Sequence, residues 1–222
     1  MHVHQPRTLT ESGAKELQTE LAKQVVPIDD FGTINNVAGV DVAYSKHTDN
    51  LVAAAVVLDA KSLDILETKT SHDKVSFPYT PGLFSFRELP PILKALAALE
   101  QQPDLILCDG HGIAHPRRFG LASHLGIVYD LPTIGCAKTL LIGDYELPAL
   151  ERRASSPLKD EDETLGAVLR TRDGIKPVFV SVGHRISLES ACQWVLKLSP
   201  KYRLPEPIRL ADQAVRRSLK EL

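Results

Sequence analysis

The chain has 222 residues, 43% of them hydrophobic and 24% charged, with a formal net charge of −2. This is ordinary globular composition with enough length for one substantial core, and it excludes disordered, fibrous and membrane-embedded classes. A near-neutral balance argues against a protein that coats nucleic acid without sequence preference, but not against an enzyme with a local basic track.

The start, Met1-His2-Val3-His4-Gln5-Pro6, lacks the charged-then-apolar layout of a signal peptide. No apolar run reaches the ~18 residues that span a bilayer. Cys108, Cys136 and Cys192 are odd in number and widely spaced, so neither a disulfide framework nor a zinc pattern is expected. A reducing cytoplasm is the simplest home, with no membrane association and no obligate protein partner evident.

Leu9, Leu17, Leu21 and Val25 predict an amphipathic helix within residues 9–25, capped by Thr10 or Ser12. After a polar stretch, three strands are expected over 37–43, 51–58 and 63–68. The short linkers between them favour an antiparallel meander. The loop Phe77-Pro78-Tyr79-Thr80-Pro81-Gly82 is stiffened by its prolines, and a helix follows over 83–101 that Pro90 and Pro91 should kink or divide. Leu105-Ile106-Leu107-Cys108 is a buried strand, placed by a βαβ crossover parallel to one of the first three. A helix over 122–128, a strand over 133–137, a hairpin of 165–170 with 177–182, and helices over 187–198 and 207–220 complete the pattern. Residues 151–163 read as an exposed loop. The expected architecture is α/β, an antiparallel meander extended by parallel strands with helices covering the sheet. No linker divides the chain, so one domain is expected over 1–222, with a helix and lead-in over 1–36 and a core over 37–218.

Asp41 lies inside an apolar strand, where aspartate is depleted and a lone buried charge is costly. Asp109 ends another strand and precedes Gly110. By itself Asp109 reads equally well as a turn residue, since Asp-Gly is a common turn pair. If the two strands are neighbours, the carboxylates converge and repel unless a cation lies between them. Oxygen ligands on rigid strands suit Mg²⁺, with Mn²⁺ as a substitute, and such a site can hydrolyse a phosphodiester. Glu88 is either a solvated helix position or a third carboxylate, and Lys138 either a solvated strand-end lysine or a neutraliser of phosphate charge. Tyr79 is either packed over the helix start or a wedge that opens a base stack. His115, Arg117 and Arg118 are either wet surface or a phosphate track.

Several blocks, in order over residues 37–218, resemble endonuclease V: Val37 to Asp41, Phe77 to Leu83 with Phe86-Arg87-Glu88, Asp109 to Arg117, Pro132 to Lys138, Val180 to His184, and Pro205 to Asp212. The resemblance implies an RNase H-like fold. It implies a DNA-repair enzyme that nicks at the second phosphodiester bond 3′ to deoxyinosine, the product of adenine deamination. It assigns Asp41, Asp109 and Glu88 as metal ligands, Lys138 as a catalytic aid, and Tyr79 as the wedge between Pro78 and Pro81. His115 and Arg117 would contact DNA, while Gly82, Gly110 and Leu141 would shape a pocket for the displaced base. Asp212 stands where members vary between Asp and His, and is a further candidate ligand. Other RNase H-like nucleases, an inosine-specific ribonuclease or a junction resolvase, are the alternatives, and inosine-containing RNA is an alternative substrate.

Overall fold

In the computed structural model, residues 9–221 are described. The sequence reading of Met1 to Pro6 lies outside them.

Thr10 caps the first helix, α1 (Glu11–Ala22), through a hydrogen bond from the Gly13 amide to its hydroxyl. The meander forms as expected from β1 (Asn36–Tyr44), β2 (Asn50–Asp59) and β3 (Ile65–Lys74). β3 runs longer than its apolar residues predicted, because polar residues 69–74 pair with β2 at the sheet edge. Helix α2 (Phe84–Ala97) then leads to β4 (Leu105–Cys108), α3 (Leu121–Tyr129) and β5 (Thr133–Ala137). The remainder is β6 (Ser155–Asp160), β7 (Glu163–Leu169), β8 (Val178–His184), α4 (Leu188–Lys197) and α5 (Glu206–Leu219).

The strands make a single mixed sheet in the order β3-β2-β1-β4-β5-β8-β7-β6. β4 lies parallel to β1, and β5 parallel to β4; the other neighbours are antiparallel. This is the RNase H-like layout the sequence implied.

Two expectations are corrected. Residues 151–163 are not all loop: residues 155–160 form the edge strand β6. Its only buried apolar side chain is Leu158, and Pro157 is tolerated because an edge strand needs fewer ladder donors. Of the two outcomes expected at Pro90 and Pro91, division does not occur: α2 runs through both prolines as one helix. Each internal proline costs about 3 kcal/mol, whereas burying each of Leu89, Ile92, Leu93 and Leu96 contributes roughly 1.5–3 kcal/mol, so packing wins. The Pro91 carbonyl also accepts a hydrogen bond from Ser71 Oγ on β3 at 2.7 Å.

Alternation along β1 sets the two faces. Val37 joins Leu105, Leu107, Ile134 and Cys136 under α4 and α5. Ala38 and Val40 join Ile106 and Cys108 under α2 and α3. Gly39 lets α5 close onto β1: a Cβ there would stand 2.1 Å from the Pro207 carbonyl. Among the described residues no helix is long and apolar enough to cross a membrane.

Candidate active site

The register brings the two aspartates together. β1 and β4 pair in parallel up to Val40↔Cys108, so Asp41 and Asp109 are the next residues on neighbouring strands. Asp41 has the parity of Val37 and Gly39, and Asp109 that of Leu105 and Leu107, so both fall on the α5 face. Lys138 continues the alternation of Ile134 and Cys136 on β5, and its ammonium pairs with Asp109 Oδ2.

Burial pushes the Asp41 carboxyl up to about 7, with the negative charge of Asp109 adding to the rise and that of Asp212 contributing less. Burial likewise lowers the affinity of Lys138 for its proton, but the hydrogen bond and charge of Asp109 outweigh it and raise the ammonium overall.

Glu88 enters from the opposite face, on α2, and is 4% exposed. Burial holds its carboxyl well above the usual range, and the charges of Asp41 and Asp109 add to this. The Tyr44 hydroxyl donates to Glu88 Oε1 at 2.9 Å, while the Arg87 guanidinium lies 4.6 Å from the centre of the Tyr44 ring. Tyr44 has the parity of Ala38 and Val40, which turns it toward α2. Neither Tyr44 nor this contact was read from the sequence; only strand parity hinted at the face.

A cleft of about 560 Å³ opens over the acids. Asp41, Glu88, Asp109 and Lys138 line it, as do Tyr79, Pro81, Gly82, Gly110, His115 and Leu141. The proposed base-pocket residues and the acids thus share one cleft. Tyr79 is 71% exposed, so it is not packed over the helix start. Pro78 is exposed beside it but does not line the cleft. Asp212, on α5, lies outside the cleft lining and accepts both contacts of the Arg216 Nε at 2.8 Å.

His115 and Arg117 face inward. His115 Nδ1 accepts from the Arg117 amide at 3.2 Å, which leaves the proton on Nε2, 3.0 Å from the Gly82 carbonyl. Burial and the charge of Arg117 depress His115 to about 4, so the ring is neutral at pH 7. Arg117 Nη2 donates to the same carbonyl at 2.7 Å. Arg118 pairs with Asp160 and Glu163 at 2.9 and 2.8 Å, tying its loop to the β6–β7 hairpin. His111, not singled out in the sequence, also lines the cleft; its Nε2 bonds the Thr139 carbonyl at 3.1 Å and its buried Nδ1 has no hydrogen-bond partner.

Among the described residues no three His, Cys, Asp or Glu side chains form a ready-made cation cage. Asp41 and Asp109, adjacent on paired strands, are the carboxylates that could hold a divalent cation whose remaining ligands are water and phosphate. Burial is the larger cause of the raised Asp41 and Glu88 carboxyls, and the neighbouring carboxylate charges add to it.

Fold and site together define an RNase H-like α/β protein with a carboxylate centre at the end of its parallel strands. The sequence pattern of the family Endonuclease V matches residues 19–213. Endonuclease V of Streptomyces avermitilis is 53% identical over 215 residues, covering 96% of this chain and 93% of that protein. The crystal structure of Endonuclease V from that organism superposes with a TM-score of 0.93 at 51% identity, covering 97% of this chain and 95% of that one. Ciona intestinalis Endonuclease V, solved in complex with a 23mer DNA containing an inosine followed by a ribo-adenosine, superposes with a TM-score of 0.84 at 31% identity, covering 96% and 99%. The chain belongs to the Endonuclease V family, a family of nucleases.

Proposed function

We propose that this chain is a Mg²⁺-dependent DNA-repair endonuclease that nicks the second phosphodiester bond 3′ to deoxyinosine. The observation that carries the reading is that Asp41, Asp109 and Glu88 line one cleft together with an exposed tyrosine. The inosine-containing DNA bound by the Ciona relative supports the substrate.

Asp41 and Asp109 would hold the cation, Glu88 would complete the acidic cluster around it, and Tyr44 would fix the Glu88 carboxylate from behind. Bound Mg²⁺ supplies Lewis-acid polarisation of the phosphate and support for the leaving 3′-oxygen. Lys138, held at Asp109, adds positive charge where the phosphate gathers negative charge. Inosine pairs poorly, so extruding it costs less than extruding a normal base. Tyr79, on its proline-flanked loop, would enter the stack that the base leaves, and the cleft lining at Gly82, Gly110 and Leu141 would receive the base. The base stays attached to its sugar, because the bond cut lies elsewhere on the strand.

The test is a duplex with one inosine, labelled at its 5′ end, incubated with Mg²⁺ and separately with chelator. A product ending at the second phosphodiester on the 3′ side, lost on chelation, is expected. Cutting at another position, or undiminished cutting in chelator, rejects the proposal. The ribo-adenosine after inosine in the Ciona complex gives one reason to add inosine-containing RNA as a second arm. Faster turnover of that RNA would make the enzyme an inosine-specific ribonuclease.

Tyr79→Ala should lower nicking of duplex DNA roughly tenfold, the equivalent of about 1.4 kcal/mol of unstacking support. Its melting temperature should stay unchanged, because the side chain is largely in solvent. Equal activity of variant and parent on duplex DNA would remove the wedge role. Tyr44→Phe should raise the Mg²⁺ concentration for half-maximal nicking about tenfold, the usual consequence of losing a partner behind a metal ligand. A Mg²⁺ titration with an unchanged midpoint would show that Tyr44 does not support Glu88.

A further inference from the structure

Gln18, on α1, lines the cleft, is 1% exposed, and stands one residue before the segment matched by the family pattern. Its Nε2 donates to the Gly82 and Phe119 carbonyls, each at 3.0 Å, and its Oε1 accepts from Arg117 Nε at 2.6 Å. Both N–H donors and the oxygen of this amide are therefore engaged. The Gly82 carbonyl receives donors from Gln18, His115 and Arg117 together. Gly82 closes the Tyr79 loop at φ +75°, and a Cβ on it would stand 2.8 Å from Arg117 Nη2, so the clamp demands glycine.

A second contact acts on the other end of the loop. Ala14, one turn before Gln18 and fully buried, packs with Phe77, Leu83 and Phe86, with Leu17 alongside. Helix α1 thus grips Phe77 before the tyrosine and Gly82-Leu83 after it, while Tyr79 itself projects into solvent. A side chain can force bases apart only if its own loop does not yield first, so its support must be rigid.

We infer that Gln18 is a positioning residue for the Tyr79 loop, and that α1 is the brace that lets this loop open duplex DNA. The inference rests on the reading of Tyr79 as a wedge. Gln18 itself touches no reacting atom.

The test uses the full chain with Gln18→Met, close in shape but without polar atoms, and Gln18→Glu, which keeps the Arg117 contact and sets a carboxylate against the two carbonyls. Two readouts are compared with the parent. The first is amide hydrogen exchange at the loop, where the Leu83 amide bonds the Thr80 carbonyl at 2.9 Å. Exchange there should quicken at least about tenfold while the β1 and β4 amides stay unchanged. The second is kcat/KM on an inosine duplex and on the same strand unpaired. A loss of about tenfold on the duplex and less than about twofold on the single strand is expected, because the unpaired strand has no stack to open. Unchanged loop exchange, or equal losses on the two substrates, overturns the inference. If Gln18→Met does not fold, Gln18→Glu alone decides on the same two readouts. If the parent cuts neither substrate, the proposed activity fails, while loop exchange still decides whether the brace exists.

Discussion

Asp41→Asn should lower Mg²⁺-supported nicking about 10³-fold and yet raise the melting temperature of the metal-free protein at pH 8. The first effect follows from the loss of a charged ligand at the centre of the site. The second follows from the carboxyl held at about 7 in the folded chain by burial and by Asp109, against about 3.9 in an unfolded one. Between those two values the folded protein binds more protons than the unfolded, so this group's contribution falls as pH rises from about 4 to about 7, and stays low above that. Asparagine carries no charge to desolvate. A gain of about 1–3 kcal/mol at pH 8 corresponds to roughly 2–4 °C per kcal/mol for a chain of this size. At pH 5, where Asp41 is protonated in the folded state, the difference should shrink. Added Mg²⁺ should stabilise the parent and not the variant. Calorimetry at pH 5 and pH 8, with and without Mg²⁺, checks this; a variant less stable than the parent at pH 8 without metal would contradict the account.

Gly39→Ala should be strongly destabilising, although it adds a single methyl group. The added Cβ would lie 2.1 Å from both C and O of Pro207 and 2.6 Å from the Ile208 amide, all backbone of α5. Carbon atoms pack at about 3.5–4.0 Å, so α5 must withdraw by more than an ångström. That helix buries Ile208, Ala211 and Val215 against β1 and β2, and none of them reaches its partner after such a shift. Overpacking of this kind costs about 3 kcal/mol or more, lowering the melting temperature by roughly 6–12 °C. Asp41 lies two residues from Gly39 on the same face of β1, so activity should fall further than the fraction of folded protein. Gly32→Ala is the control: nothing stands within 4 Å of its Cβ, and it should be neutral. Thermal melts of the two variants separate a packing cost from a general intolerance of alanine.

The strands were legible where their side chains are buried on both faces. β4 and β5 match their apolar runs to the residue, because continuous burial demands continuous hydrophobicity and the flanking residues break it. β6 was not legible, since Leu158 is its single buried anchor and edge pairing supplies the rest. The prolines of α2 were visible, but a local rule about backbone donors could not weigh the core burial that overrides it.

The site divides along the same line. Asp41 and Asp109 stand out in the sequence because a charge in or just after an apolar run conflicts with burial, and strand alternation then fixes the face each one takes. The resemblance to Endonuclease V added Glu88, Lys138 and Tyr79, which spacing alone left open. Only the tertiary structure set Tyr44 behind Glu88, 44 residues away, and Gln18 against Arg117, 99 residues away. It also turned His115 and Arg117 inward onto the Gly82 carbonyl. The acid pair is written in local pattern because alternation and burial act over a few residues. The supports around it are not, because a hydrogen bond between distant segments exists only once the sheet has brought them within 3 Å, and no local periodicity records that meeting.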